Sequence, residues 1–306
     1  MALLLRNPQR AGPPRRQAVP PTPAREMSGL EADSSPAREL SGHERKKADD
    51  EESLNADVTY EVIRREGVKE LERSSSALAW SGLAAGLSMG FSFLAMGVVQ
   101  SHLPDAPWRP LVVSLGYTLG FLIVVLASQQ LFTENTLKAI VPLLAHPGGK
   151  MLANVARLWS AVFLANMVGA LIFAWVLAGT DLFPVEVHRS FLETGRKAVE
   201  HDFLTSVLKA VFAGWLIAIM VWMLPAAESS HVLVVLIMSY LVSLGEFLHI
   251  IAGATEVFYL AFVGELGWGG TVTRFIAPVL LGNVIGGVTL VSALNHAQVV
   301  AGEEGE

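Results

Sequence analysis

Val242–Leu260 reads VSLGEFLHIIAGATEVFYL, an apolar run that nevertheless carries Glu246, His249 and Glu256. An ionisable side chain at the centre of a bilayer costs about 3 kcal/mol on insertion scales, so its default reading there is functional. The bland alternative for His249 is a buried neutral imidazole satisfied by a local hydrogen bond. The run around it spans 231–264, about 34 residues, whereas about 20 cross the hydrocarbon core. That is too long for one straight helix and too short for two with a turn. A helix interrupted within Gly245–Gly253 fits both facts. Two half-helices then enter from opposite sides, and the irregular backbone between them lies in a protein-lined cavity, where such backbone is tolerated.

A second run of the same length, 110–143, carries the polar stretch SQQLFTENTLK at Ser128–Lys138. Four ordinary spans, near 77–101, 157–179, 204–225 and 273–296, complete a set of six. NMVGA (Asn166–Ala170) and NVIGG (Asn283–Gly287) stand 117 residues apart. The same offset lays Leu131-Phe132 on Leu248-His249, so the two interruptions coincide. Two halves of three spans each must insert in opposite senses, a plan that places binding at the midplane, where discontinuous helices meet. The fold class expected is an all-α membrane protein: six transmembrane helices in two inverted three-helix repeats, with broken second and fifth helices.

Composition agrees. Of the 306 residues 52% are hydrophobic and 16% charged, where soluble domains are nearer a quarter charged. Thirteen of the 22 Lys and Arg and 14 of the 28 Asp and Glu precede Ser74. The net charge of −6 therefore averages a polar arm with a nearly uncharged body. The absence of cysteine excludes disulfides, thiolate metal sites and cysteine nucleophiles. Residues 1–60 read as a disordered polar arm, with Met27 as an alternative start. Residues 61–73 read as an interfacial amphipathic helix, 74–298 as the transporter domain and 299–306 as a tail. The basic arm puts both termini in the cytoplasm. No phosphate-binding glycine loop, zinc motif or nucleophile elbow is present, so the chain does not read as an enzyme, and neither cofactor, metal nor nucleic acid is expected.

Within the interruptions, Thr133 or Asn135 can cap the second half-helix, whose free N–H groups and positive dipole end favour an anion. Leu131 and Phe132 narrow the passage. Asn166 and Asn283 are suited to bonding the backbone freed at the breaks. Gly169, Ala170, Gly282, Gly286 and Gly287 are suited to close helix packing. Lys209 either snorkels or attracts anions. Glu134, Glu246 and Glu256 either pair with Lys138 or Lys209 or stay protonated by desolvation.

These pieces, in order and spacing, resemble the formate/nitrite transporter family across roughly Leu71–Gln298. LFTENT (Leu131–Thr136) is similar to the family's LFT loop. NMVGALIF (Asn166–Phe173), VWM (Val221–Met223), His249 and GNVIGG (Gly282–Gly287) follow in family order. The resemblance implies an aquaporin-like homopentamer in a bacterial inner or plasma membrane, each protomer passing small monovalent anions or their conjugate acids. It makes His249 the central histidine, Thr133 the hydroxyl facing it and Leu131 with Phe132 the cytoplasmic constriction. It places Tyr117 and Phe121 in the pore, with Gly214 and Val242 at positions where the family carries asparagine and an aromatic residue. Leu248 and Gly253 also depart from family polar residues, which leaves Glu246 as an alternative partner for His249. Two other readings stand beside this one: a cation or neutral-solute pore built on the glutamates, and a non-transporting membrane scaffold whose pore is vestigial.

Overall fold

The computed structural model describes residues 56–293 and Ala297. The arm up to residue 55 and the tail at 299–306 lie outside the described residues. Every regular element among the described residues is helical.

The first helix, α1 (Ala56–Glu72), begins five residues before the boundary expected from sequence. Tyr60, Ile63 and Leu71 on one face are buried, while Arg65, Lys69 and Glu72 on the other are exposed. Arg64 and Arg65 bond the Glu61 carboxylate at 2.7 and 2.6 Å, and these bonds hold its pKa down to about 2. Ser74 caps the next helix by accepting from the Ala77 N–H. Arg157 locks the elbow between the two helices by donating to the Leu71 and Arg73 carbonyls at 2.6 and 2.9 Å.

The body comprises α2 (Ser75–Ser101), α3 (Arg109–Leu126), two short helices α4 (Phe132–Lys138) and α5 (Ile140–Ala145), and α6 (Gly149–Gly179). There follow the amphipathic α7 (Val185–Ala198), α8 (Phe203–Met223), α9 (His231–Leu244), α10 (Ile250–Phe262) and α11 (Ala277–Ile285), the last flanked by π turns at Thr271–Ile276 and Gly286–Ala293. Among the described residues, five helical stretches are long and apolar enough to cross a membrane: Ser75–Ser101, Arg109–Leu126, Gly149–Gly179, Phe203–Ala227 and Trp268–Thr289. The remaining apolar pieces, α9 and α10, are each shorter than a crossing. Both expected interruptions are present, at 127–131 and 245–249.

Small residues set the packing. Gly82, Ala85, Gly86 and Gly90 are buried along α2, which lies mainly against α6 and α3. A Cβ on Gly86 would strike the backbone of Asn166, and one on Gly169 the backbone of Leu83 and Leu87. In the second half α8 lies against α11 in the same manner. Gly282 and Gly286 there abut the Val207 and Val211 carbonyls. Outward, Leu111, Leu115 and Leu119 form an exposed apolar stripe four residues apart on α3.

Candidate functional site

The second residue of each break lies in the left-handed region, Ser128 at φ 51° and Glu246 at φ 52°. Each then leaves backbone groups without helical partners, and an asparagine from another helix takes them up. The Phe132 N–H donates to Asn166 Oδ1 at 2.9 Å, while Asn166 Nδ2 donates to the Gly82 and Gln130 carbonyls. The Ile250 N–H donates to Asn283 Oδ1 at 2.8 Å, while Asn283 Nδ2 donates to the Ala210 and Leu248 carbonyls. One amide side chain therefore satisfies two backbone groups freed by the break, each of which would otherwise cost about 1–3 kcal/mol, and it adds a second bond to a carbonyl within a neighbouring helix, Gly82 in α2 or Ala210 in α8.

This arrangement corrects two expectations. Neither Thr133 nor Asn135 caps α4. The cap position is Leu131, which makes no side-chain bond, and the free N–H is met by Asn166 across 34 residues of sequence. The breaks also correspond at an offset of 118, pairing Ser128 with Glu246, although the asparagines stand 117 apart. The second half uses one residue fewer between break and asparagine, so Leu131 corresponds to His249 rather than to Leu248.

His249 occupies the cap position of α10 and is buried. Its Nδ1 accepts from the Ala252 N–H at 3.2 Å. A backbone N–H can only donate, so the neutral ring carries its proton on Nε2. Nε2 then donates to Thr133 Oγ1 at 2.7 Å. The histidine thus joins the two breaks, and Thr133 rather than Glu246 is its partner.

Phe121 stands edge-on to the imidazole with ring centres 5.0 Å apart, and Tyr117 lies 5.4 Å from Phe121. These two rings are positioned by α2, where Ser92 donates to the Tyr117 carbonyl at 2.5 Å and accepts from the Gly120 N–H. Tyr117 reaches a cavity of about 160 Å³, whose walls include Arg109, Lys197, His201, Leu248 and Glu256. The cavity, two aromatic rings, the imidazole and the Thr133 hydroxyl form one continuous series.

The other expected site residues are placed as follows. The Phe132 ring packs on Phe163 and Trp159 of α6. Leu131 and Val242 are fully buried. A Cβ on Gly214 would collide with the Asn283 backbone, as one on Gly86 would with Asn166, so Gly214 serves helix packing. Gly287 abuts the Thr136 hydroxyl. Glu246 is 3.7 Å from Lys209, and Glu134 is 3.8 Å from Lys138, which also meets Glu66 of α1 at 3.5 Å. Sequence reasoning missed Arg109 and His201. Nothing in their flanking residues marks them, because α3, α7 and the loop after α7 gather them only in the fold. Among the described residues no cluster of potential metal ligands occurs.

A family model described as formate/nitrite transporter matches residues 57–297. The chain belongs to the formate/nitrite transporter family. Members of this family are channels and transporters rather than enzymes, and the chain is accordingly a multi-pass membrane protein. It is 42% identical over 240 residues to the inner membrane protein YfdC of Escherichia coli, covering 78% of this chain and 77% of that protein. It is 26% identical to the formate channel BtFdhC of Bacillus thuringiensis, covering 76% and 90%. The fold is similar to that of a pentameric formate channel with formate bound (TM-score 0.64, 21% identity, 74% of this chain and 98% of that one). It is also similar to an FNT family ion channel (TM-score 0.70, 18% identity, 78% and 98%).

Proposed function

We propose that the chain is a channel-like transporter of small monovalent anions or their conjugate weak acids, of the formate/nitrite class. In this reading it crosses a bacterial inner membrane six times as two inverted halves. It assembles as a homopentamer with both termini cytoplasmic, and α1 lies along the inner surface. Its YfdC relative is named as an inner membrane protein, and a structural neighbour is pentameric.

The observation that carries the reading is the bond between His249 and Thr133, made where the two breaks meet and bordered by Phe121. A bare anion entering so apolar a passage loses its hydration at a cost of several kcal/mol or more, whereas the neutral acid loses far less. A buried imidazole Nε2–H backed by a hydroxyl can donate to an oxygen of the solute. It can also exchange a proton with that solute. Glu246 and Glu134 each stand beside a lysine, which leaves Glu256 as the one carboxylate of the three without an ion pair among the described residues and weighs against a cation pathway lined by several free carboxylates.

The test is His249→Phe in proteoliposomes, with formate and nitrite uptake followed at acid and neutral pH. Loss of flux by about tenfold or more, or a changed pH profile, is expected with the pentamer intact on size exclusion; the loss of one charge-assisted hydrogen bond has this magnitude. Unchanged flux at both pH values removes the imidazole from the pathway.

A further inference from the structure

Glu256 lies on α10 seven residues beyond His249. His249 caps the start of α10, so Glu256 stands about 10 Å further along the helix axis. The Glu256 side chain is 8% exposed, and that exposure is to the cavity it lines. Among the described residues it makes no hydrogen bond and no ion pair. The other carboxylates on the cavity wall are placed differently. Glu246 has Lys209, and Glu200 has His201 at 3.6 Å.

The second observation is the repeat. At the offset of 118 that superposes the breaks, the counterpart of Glu256 is Lys138, which is paired with both Glu66 and Glu134. The same place is neutralised by partners at one break and left unpartnered at the other.

The groups facing the cavity are Arg109 and Tyr117 from α3, Lys197 from α7, Glu200 and His201 beyond it, and Glu246 from the break. Arg109 is engaged with Asp105 and Glu193. His188 of α7 is bonded to Tyr259, and Arg274, from the turns before α11, donates to the Val199 carbonyl. The packed helix α2 carries no charged residue, and α6 carries only Lys150 and Arg157, before Leu158.

Resting on the transport reading above, we propose that Glu256 is the proton donor of the outer cavity, protonating a monovalent weak-acid anion on its way to His249. The Glu256 O–H bond breaks as a new bond to that hydrogen forms on the anion, O–H on formate or nitrite and S–H on hydrosulfide, and the negative charge passes from solute to side chain. The neutral acid moves on past Phe121 and His249. Glu256 then takes a proton from hydronium in the water of the cavity, so the net cargo is one anion with one proton.

The test compares wild type, Glu256→Gln and Glu256→Asp in proteoliposomes. Uptake of formate, nitrite and hydrosulfide is measured at acid and neutral pH, with assembly checked by size exclusion. Glu256→Gln is expected to slow uptake at neutral pH by about a hundredfold, the lower end of what a positioned general acid supplies. It should slow uptake much less in acid, where more of the solute arrives already neutral. Glu256→Asp should keep the wild-type pH profile at a reduced rate, and it carries the test if the glutamine variant fails to assemble. The proposal is overturned if Glu256→Gln keeps the wild-type rate and profile, if it loses rate equally at both pH values, or if Glu256→Asp loses the wild-type profile. If wild type moves none of the three solutes, the transport reading itself has failed and this inference falls with it.

Discussion

The break between α3 and α4 and the break between α9 and α10 share a left-handed residue, a cross-helix asparagine and a packing glycine opposite that asparagine. They differ in what they carry. The first has Leu131 at the cap position, with Asn135 and Thr136 bonded to nearby carbonyls. The second has His249 at the cap position and surrounds it with apolar residues and Gly253, against which the Phe275 ring packs. Backbone satisfaction is the shared requirement, because an unpaired amide in a membrane interior has no water to turn to. The chemistry is free to vary above it, and in this chain it is concentrated on one side.

The largest effect that tests this pairing comes from Asn166→Ala and Asn283→Ala. Each orphans two buried backbone groups, Phe132 N–H with Gln130 C=O or Ile250 N–H with Leu248 C=O, at about 1–3 kcal/mol apiece. Both variants are therefore expected to yield little assembled protein and to unfold at markedly lower temperature in detergent. Near-normal behaviour of either one would break the equivalence.

How much of this was legible beforehand depends on the range of the interaction. The interruptions announced themselves through length and local polarity, and His249 through an ionisable ring in an apolar run. The bonding of Asn166 and Asn283 to freed backbone followed from their place in the repeat. The register did not. NMVGA and NVIGG align at 117, and only the left-handed residues reveal that the breaks align at 118. The packing of α1 on α4, through Gly67 against the Lys138 carbonyl, left no local mark either, since its charge pattern suits an interfacial helix equally well. The cavity of Arg109, Lys197 and His201 was illegible for the same reason.

An intermediate effect sharpens the comparison. Gly86→Ala and Gly214→Ala each press a methyl into the backbone of the facing asparagine, and overpacking of this kind costs about 1–3 kcal/mol. Matched losses of thermal stability are expected from the two. A large inequality would mean that one half is looser than the other.

The smallest effect has the opposite sign. Ser128→Gly and Glu246→Gly relieve a left-handed residue, a gain of about 0.5–1 kcal/mol once the added freedom of the unfolded chain is counted. Ser128→Gly should raise the unfolding temperature. Glu246→Gly should raise it less, because it also gives up the contact with Lys209.

The asparagines act on segments made well before them: Asn166 follows Phe132 by 34 residues, and Asn283 follows Ile250 by 33. While the chain emerges from the ribosome, each gap therefore waits, incomplete, for the last rod of its own half to be inserted. Biogenesis then proceeds as two successive closures, and a nascent chain halted between them would hold one finished break and no second wall to face it.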